Sequence, residues 1–425
     1  MIRATITIIS IGCIVLIADI YLVQGLRTAL RKWEFSQKKA FSIAYWALSI
    51  FIIGGLLVSM FSRTGLGIRS AFMLVFFLFV LIKALFLPFL VADDIRRWIK
   101  RKKQKQREAQ AVEKTPSPDA IPRSDFLLKA GLLAASAPIG GMIYAAASGG
   151  VYDYRVKRRT LYLPNLPKSF DGMKLGQISD IHSGSFHNKK AVTGGVDMLL
   201  REKPDLIFFT GDLVNRMSQE MYAYQDIFSK VKAPLGVFSS LGNHDYGDYW
   251  FWHDEAAKQK NFDDLVATHK NLGWDLIRND NRRLKINGEE IGILGVENWG
   301  VINSYPNRGR LDLAMKNTDD LLVKLLLSHD PSHWRAEVLQ HPGIDAMFSG
   351  HTHGMQFGVR TENFEWSPIK YIYKEWAGLY REGHQQLYVN VGYGFLGYPG
   401  RLGMLPEITI FELKASADPS LQKRA

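Results

Sequence analysis

The chain has 425 residues, one cysteine and a formal net charge of +12. This length allows a sizeable domain and a further region, and a single cysteine excludes both a disulfide framework and a thiolate metal site. Much of the positive charge lies in residues 27–39 and 96–107, beside apolar segments, which favours a role in membrane topology over a nucleic-acid surface.

Three apolar runs occupy the first hundred residues, at about 4–24, 41–61 and 71–91. Each reaches the roughly 20 residues that a bilayer-spanning helix requires, so residues 1–95 are predicted to form a transmembrane region of three helices. Asp19 and Lys83 lie inside the first and third runs. They either pair across the helix bundle, because isolated charges in lipid are costly, or lie near the interface.

Residues 96–125 are basic and then rich in Pro and Ser, which predicts a juxtamembrane linker with a short helical start. Residues 126–150 hold a fourth apolar segment, either a transmembrane helix or a signal-like anchor. The loops after the first and third runs carry most of the lysine and arginine and belong in the cytoplasm. We therefore expect a multi-pass protein of the cell (inner) membrane whose C-terminal domain is extracytoplasmic, with the cytoplasmic face as the alternative.

Residues 151–414 are predicted to form one α/β domain, and residues 415–425 a disordered tail. Aliphatic or β-branched runs predict strands at 174–179, 206–210, 237–241, 291–296, 325–327, 346–348, 387–391 and 408–413. Helical patterns lie at 189–202, 219–231, 262–271 and 332–340. The early alternation of strand and helix indicates parallel pairing, and the closer spacing of the later strands indicates a partly antiparallel sheet.

Five short polar blocks each follow one of these predicted strands. Their side chains are Asp180 and His182; Asp212; Asn243, His244 and Asp245; His329; and His351 and His353. The last pair lies between Gly350 and Gly354, which allow a tight turn and a close approach to a bound group. Because ligands gather at the carboxyl ends of strands in α/β sheets, the blocks predict one composite metal site.

The chemistry of this set points to divalent metal ions. Oxygen and imidazole ligands without sulfur suit Mn, Fe, Zn, Co or Mg. More side chains are present than one ion takes while leaving room for substrate, so two ions sharing a bridging carboxylate are predicted. Such a pair hydrolyses phosphate esters by lowering the pKa of a bridging water and by withdrawing charge from the phosphoryl oxygens. His244, oriented by Asp245, remains available to protonate the leaving oxygen.

In their order and spacing, the five blocks resemble the signature of the calcineurin-like metallophosphoesterases over about residues 174–413. The resemblance implies an α/β fold, a four-layer αββα sandwich of two mixed sheets flanked by helices, preceded here by the transmembrane region. One ion would be held by Asp180, His182, Asp212 and His353, and the other by Asp212, Asn243, His329 and His351. His244 would be the catalytic acid, with Asp245 in support.

The membrane region and the ending after residue 392 are similar to the bacterial membrane-associated branch of that family. Members of that branch, or close to it, include UDP-2,3-diacylglucosamine pyrophosphatases of lipid A biosynthesis and exported or cell-wall phosphodiesterases. Asn215 and Asp245 stand where serine/threonine phosphatases of the superfamily carry aspartate and glutamate. These departures argue against a phosphoprotein phosphatase.

Three further side chains are candidate substrate contacts: Asn215, His187 and Arg401. Arg401 lies in a glycine-rich loop, where a guanidinium suits a phosphate; a solvated arginine is the alternative, as a surface loop is for His187. Residues 250–252, Trp-Phe-Trp, follow the third block. Three roles are open for these aromatic residues: shaping an apolar or lipid-facing cleft, docking the domain on a bilayer, or packing within the domain.

The sequence therefore predicts a membrane-anchored, dinuclear metal-dependent hydrolase that cleaves a phosphodiester or pyrophosphate bond by attack of metal-bridged hydroxide. Its expected partners are a phosphoester or nucleotide-linked lipid substrate and membrane lipids, without nucleic acid. A UDP-2,3-diacylglucosamine pyrophosphatase is the enzymatic alternative, which cytoplasmic placement would favour. A non-catalytic membrane receptor or scaffold is the alternative of another class; lost ligands would mark it, and every expected ligand is present.

Overall fold

The computed structural model describes residues 2–30, 32–61, 66–110, 124–301, 306–361 and 364–416. The chain divides into two compact units, an N-terminal unit, Met1–Tyr144, and a C-terminal unit, Ala145–Ala425. Most of the predicted tail, residues 417–425, lies outside the described residues.

The N-terminal unit is built from long helices: α1 (Ile2–Ala29), α2 (Lys39–Phe61), α3 (Leu66–Gln110) and the greater part of α4 (Asp125–Ala147). Segments long and apolar enough to cross a membrane are Ile9–Ala29, Lys39–Val58 and Phe126–Ala147, among the described residues. The third predicted run, 71–91, lies within α3, and several of its side chains are outside the described part. Since α3 continues to Gln110, the first half of the predicted linker is helical, while residues 111–123 are not described.

The two charges within the apolar runs form an ion pair. Lys83 Nζ lies 2.5 Å from Asp19 Oδ1, and the Tyr45 hydroxyl donates to the same oxygen at 2.5 Å. The ammonium also lies 3.3 Å from the centroid of the Phe79 ring. Of the two alternatives, pairing between helices is the one observed, and it brings opposite charges together where a lone charge is costly.

The C-terminal unit alternates strands with shorter helices. Its strands are β1 (Arg155–Tyr162), β2 (Lys174–Ile178), β3 (Leu206–Thr210), β4 (Val237–Ser240), β5 (Asp275–Leu276), β6 (Asp280–Ile286), β7 (Glu289–Gly295), β8 (Lys324–Leu327), β9 (Ala346–Ser349), β10 (Val359–Arg360), β11 (Glu365–Trp366), β12 (Gly378–Glu382), β13 (Gln385–Val389) and β14 (Glu407–Lys414). Its helices are α5 (Lys189–Arg201), α6 (Gln225–Phe228), α7 (Glu255–Leu272), α8 (Leu311–Ala314) and α9 (Ser332–Ala336). The helix expected at 219–231 is a 3-10 turn followed by the short α6.

The strands form two six-stranded mixed sheets. The first has the order β1-β14-β2-β3-β4-β5, and the second β12-β13-β9-β8-β7-β6; β10 and β11 form a separate hairpin. Strands β2 to β5 pair in parallel, as do β13, β9, β8 and β7. Antiparallel pairing joins β14 to β2, β12 to β13 and β6 to β7.

Alternate residues of each central strand face different layers, because successive strand side chains point to opposite faces. In β3, Ile207 and Phe209 pack against Val196 of α5 and its neighbours, whereas Phe208 packs between the sheets against Phe348. The far face of the second sheet packs against α8 and α9, for example through Trp334. Helix, sheet, sheet and helix follow one another, which confirms the four-layer αββα sandwich.

Candidate metal centre

The polar blocks meet where parallel strands of both sheets end. β2, β3 and β4 of the first sheet lead into Asp180, Asp212 and Asn243, and β8 and β9 of the second sheet lead into His329 and His351. Two groups of potential ligands result, within each of which the ligand atoms lie within 4.8 Å of one another: Asp180, His182 and His353; and Asp212, His329 and His351.

Asp212 lies between the two groups. Its Oδ2 is 3.6 Å from His182 Nε2 in the first group and 3.1 Å from His329 Nε2 in the second. Within the first group, His353 Nε2 is 3.2 Å from Asp180 Oδ1 and 3.0 Å from His182 Nε2. A single carboxylate oxygen therefore faces both groups, the placement that a bridging ligand needs.

Asn243 and His351 complete the second group, and tyrosines orient both. The Asn243 amide oxygen lies 2.8 Å from His351 Nδ1, while its amide nitrogen donates to the Tyr249 hydroxyl at 2.6 Å. His351 Nε2 lies 2.8 Å from the Tyr373 hydroxyl, which donates to Asp330 at 3.4 Å. If the Nε2 hydrogen is donated to Tyr373, Nδ1 is left unprotonated toward the other ligands. Tyr249 and Tyr373 were not singled out in the sequence, because neither belongs to a recognisable block.

Five of the proposed ligands have left-handed backbones. Among the described non-glycine residues with positive φ are Asp180, His182, Asp212, His351 and His353, with φ between 48° and 73°. Such conformations cost of order 1–3 kcal/mol each and persist only where the surroundings fix them. Here the Asp180 and His182 amides donate to the carbonyls of Gly211 and Asp212, at 2.9 and 3.1 Å. The strain turns several ligands of each short loop toward one centre.

The electrostatics favour charged carboxylates, a neutral His182 and a protonated His329. Burial alone would raise the pKa of Asp180 and Asp212, but His353 beside Asp180 and His329 beside Asp212 outweigh it and hold both pKa values below their usual range. Burial lowers the pKa of His182 well below its usual value. Burial also lowers the pKa of His329, but Asp212 outweighs it and the pKa reaches about 10, so an ion would displace a proton there.

The residues present fit divalent ions. The donors are carboxylate, imidazole and amide oxygen, the set that suits borderline-hard divalent metals. His329 Nε2 is buried without a hydrogen bond of good geometry, although it points at Asp212. The two Nε2 atoms of His182 and His353 face one another at 3.0 Å. These imidazole nitrogens lie close together, and a bound cation would be coordinated by them.

His244 is held with one ring nitrogen available. Its Nδ1 donates to the Asn215 carbonyl at 2.7 Å, its ring stacks on Tyr249 with centroids 4.1 Å apart, and its backbone amide donates to Asp212 Oδ1 at 2.9 Å. Burial lowers the pKa of His244, although Asp212 opposes the shift. Nε2 of His244 therefore stays beside the ligand groups. The His244 ring lies edge-on to the His182 ring, with centroids 5.0 Å apart.

Asp245 does not orient His244, contrary to expectation. Its carboxylate accepts hydrogen bonds from the backbone amides of Gly242, Asp212 and Leu213, at 2.9, 2.9 and 2.8 Å. The 3-10 turn Asn243–Tyr246 sends successive side chains to different sides, so residues 244 and 245 diverge. Asp245 ties the second and third blocks together, and the Asn215 carbonyl orients the histidine instead.

Arg401 is enclosed rather than presented to the cleft. Only 2% of it is exposed, and it donates to the carbonyls of Gly394, Met404 and Val391. Its Nη2 also lies 3.1 Å from His353 Nδ1. The guanidinium thus holds the glycine-rich loop against a ligand histidine, and the expected phosphate contact is replaced by this structural one.

The other two candidate substrate contacts differ from one another. Asn215 is 4% exposed, and its amide donates to Ser185 Oγ at 3.0 Å, so its main link to the site is the carbonyl that binds His244. His187 is exposed at the edge of the site, where its backbone amide donates to the Tyr152 hydroxyl at 2.9 Å. Contact with substrate remains a prediction for His187.

Comparison with known proteins agrees with both units. Residues 3–150 match a family described as "Probable Calcineurin-like phosphoesterase, transmembrane domain", and residues 173–355 match the calcineurin-like phosphoesterases. The metallophosphoesterase YkuE of Bacillus subtilis is 28% identical over 289 residues, covering 64% of this chain and 93% of that protein. A transmembrane protein with metallophosphoesterase domain of Danio rerio is 26% identical, over 67% of this chain and 61% of that protein. The phosphodiesterase YaeI of Escherichia coli is 27% identical, over 56% and 80%.

Proposed function

The chain belongs to the calcineurin-like phosphoesterases and is a membrane protein and a phosphoester hydrolase, and on this premise we propose that it cleaves a phosphodiester or pyrophosphate bond at a centre of two divalent metal ions. The observation that carries the proposal is the carboxylate of Asp212, whose Oδ2 faces His182 and His329 in two separate groups. The name of the E. coli relative, a phosphodiesterase, supports a diester over a monoester.

The ligands divide between two ions around Asp212. One ion would be held by Asp180, His182, Asp212 and His353, and the other by Asp212, Asn243, His329 and His351. Bound there, the ions would supply a water of lowered pKa and positive charge for the phosphoryl oxygens. Mn, Fe, Zn and Co all suit these donors, so the donor set alone selects none of them.

The protein's own groups position the reaction and move its proton. His244 takes up a proton on Nε2 and donates it to the leaving oxygen, while Nδ1 keeps its own hydrogen on the Asn215 carbonyl. Tyr249 supports the ring from one face and fixes the Asn243 amide through its hydroxyl. Asp245 keeps the second and third blocks in register, and Tyr373 and Arg401 hold His351 and His353.

We propose further that the protein is multi-pass in the cell membrane, with the C-terminal unit outside the cytoplasm. The three membrane-length segments and the match to a phosphoesterase transmembrane domain support the first part. With the apolar run 71–91 of α3 as a further span, the lysine and arginine of residues 27–39 and 96–107 lie on one side and support the second part, since such residues stay in the cytoplasm.

The test uses full-length protein in detergent, stripped of metal and reloaded separately with Mn, Zn, Fe or Mg. Bis-p-nitrophenyl phosphate and p-nitrophenyl phosphate are assayed side by side, with the His244→Ala protein as the control for contaminating activity. We expect metal-dependent cleavage that favours the diester and falls by about 10²–10⁴-fold in the control, at unchanged metal content. Equal activity of the two proteins would contradict the role of His244, and no turnover with any metal would contradict the proposed reaction.

A further inference from the structure

Exposed apolar side chains lie in two segments that also carry residues of the metal centre. Of the eleven large apolar side chains exposed among the described residues of the C-terminal unit, seven lie in these two segments, one between β4 and β5 and the other between β9 and β12. We call five of them the apolar rim: Trp250, Phe251, Met355, Tyr371 and Ile372, which are 39%, 65%, 40%, 74% and 51% exposed. Soluble surfaces rarely concentrate such residues without a binding role.

Short connections join the rim to the reacting groups. Trp250 and Phe251 directly follow Tyr249, whose ring stacks on His244. Tyr371 and Ile372 directly precede Tyr373, whose hydroxyl contacts His351, and Met355 follows His353 by two residues. The apolar rim is thus close in sequence, on two separate segments, to residues that contact His244, His351 and His353.

The covalent chain limits how far the ligand edge of the sheets can lie from the last membrane-length segment. The last membrane-length segment ends at Ala147. Tyr152 follows five residues later, which is a reach of at most about 18 Å. Within the C-terminal unit, Tyr152 lies at the ligand edge of the sheets. Its hydroxyl contacts His187, and its ring contacts Phe395. Phe395 follows Gly394, whose amide donates to the Asp180 carbonyl.

We propose that the substrate is an amphiphilic phosphoester, a lipid whose hydrocarbon chain lies against the apolar rim while its phosphate reaches the metal centre. This inference rests on the proposed function, since it assigns a substrate class to the same site. The membrane beside the tether supplies such molecules at high local concentration. Trp and Tyr suit the position because each presents an apolar ring and a polar tip at a membrane interface.

The experiment compares two diesters that differ only in the group next to the phosphate, methyl p-nitrophenyl phosphate and octyl p-nitrophenyl phosphate. Both release p-nitrophenol by the same hydrolysis, so the chromophore and the leaving group are held constant. With metal-loaded full-length protein, we expect kcat/KM for the octyl ester to exceed that for the methyl ester at least tenfold. In the double variant Phe251→Ser, Tyr371→Ser this ratio should fall at least fivefold.

Leu322→Ser is the matched control, because Leu322 is 66% exposed but lies outside the segments that follow β4 and β9. Its octyl-to-methyl ratio of kcat/KM should equal that of the wild type. Partition of the octyl ester into detergent affects the measurement on every protein equally. Thermal unfolding midpoints of all three proteins verify that the folds are intact. A wild-type ratio near one, or a double variant that keeps the wild-type ratio, would overturn the inference.

A binding measurement separates this inference from the reaction itself. By calorimetry, octyl phosphate should bind the metal-loaded protein at least tenfold more tightly than methyl phosphate, with the preference lost in the double variant. Binding preference without turnover of either ester would uphold the rim and refute the proposed hydrolysis. Turnover of both esters without any preference would uphold the hydrolysis and refute the rim.

Discussion

At the scale of single residues, the centre depends on side chains that act on more than one neighbour. Asp212 faces both ligand groups through Oδ2 and accepts the His244 amide through Oδ1. The same residue has a left-handed backbone, with φ of 60°. Its replacement should therefore affect both ligand groups and the turn that carries His244.

Asp212→Asn should remove most of both metal ions and reduce diesterase activity to background. The amide cannot supply the negative charge that a bridging ligand shares between two cations. Metal content after gel filtration, measured by mass spectrometry, checks this. Asp226→Asn, at the start of α6, is the control and should keep the wild-type content. Full metal occupancy in Asp212→Asn would show that Asp212 is not the bridge.

Tyr373→Phe should weaken metal binding by about 10–100-fold, the usual effect of losing a partner that orients a ligand histidine. The hydroxyl fixes His351 Nε2 and is itself fixed by Asp330, so its loss frees the ring to turn. Titration of metal into the stripped protein gives the affinity. Tyr371→Phe, two residues earlier and 74% exposed, should bind like the wild type. Equal affinities in all three proteins would leave Tyr373 with no role in holding His351.

The clustering of the polar side chains was predictable from the sequence, but their surroundings were not. Short polar blocks after apolar strands identify Asp180 or His329, because a strand's carboxyl end is a local property of the sequence. The roles of Asp245 and Arg401 depend on how a 3-10 turn and a glycine-rich loop fold back, which local patterns do not contain. Tyr373 reaches His351 from the loop after β11, and a two-residue strand is too short to be recognised from the sequence.

At the scale of elements, strands that are buried on both faces were found and exposed ones were missed. β3 and β9 are continuous apolar runs and were predicted almost to the residue. β1 was missed because its sequence, RVKRRTLY, is largely charged; it pairs in parallel with β14 along one edge of the first sheet. Helix α7 was predicted only in its second half, since its first half is polar and exposed.

One buried histidine of α7 should make folding sensitive to acid. His269 Nδ1 lies 3.0 Å from Ser239 Oγ of β4, and burial lowers the pKa of His269 to about 3. The unfolded chain binds a proton near pH 6.5, which the folded chain does not, so stability present above pH 6.5 is lost as the pH falls. Each pH unit costs about 1.4 kcal/mol.

Between pH 6.5 and 5, the wild type should therefore lose about 2 kcal/mol more of its free energy of unfolding than His269→Gln. Glutamine keeps a polar group near Ser239 but does not titrate. Denaturant unfolding of metal-free protein at the two pH values measures the difference, and titration of all other groups cancels between the proteins. Parallel pH dependences would mean that His269 is accessible to protons in the folded chain.

At the scale of the whole molecule, the charge pattern predicts which side of the membrane holds the catalytic unit. The single cysteine makes this directly testable, since Cys13→Ser gives a thiol-free background. In that background, Lys190→Cys in the C-terminal unit should react with a membrane-impermeant maleimide on intact spheroplasts. Trp33→Cys, in the loop after α1 and 54% exposed, should react only after lysis. The reverse pattern would place the centre in the cytoplasm, where nucleotide-linked lipids are made.

The ion pair of Asp19 and Lys83 has a consequence for biogenesis. The carboxylate belongs to α1 and its cation to α3, so α1 is synthesised and reaches the bilayer before its partner exists. Until then, an exposed Asp19 costs about 2.5–3.5 kcal/mol at the centre of a bilayer. In a nascent chain arrested before Lys83, α1 would lack its ion-pair partner. Once α3 has been synthesised and has entered the bilayer, the first helices could pack together. We therefore expect insertion of the first helices to be completed together, after α3 has been synthesised, rather than one helix at a time.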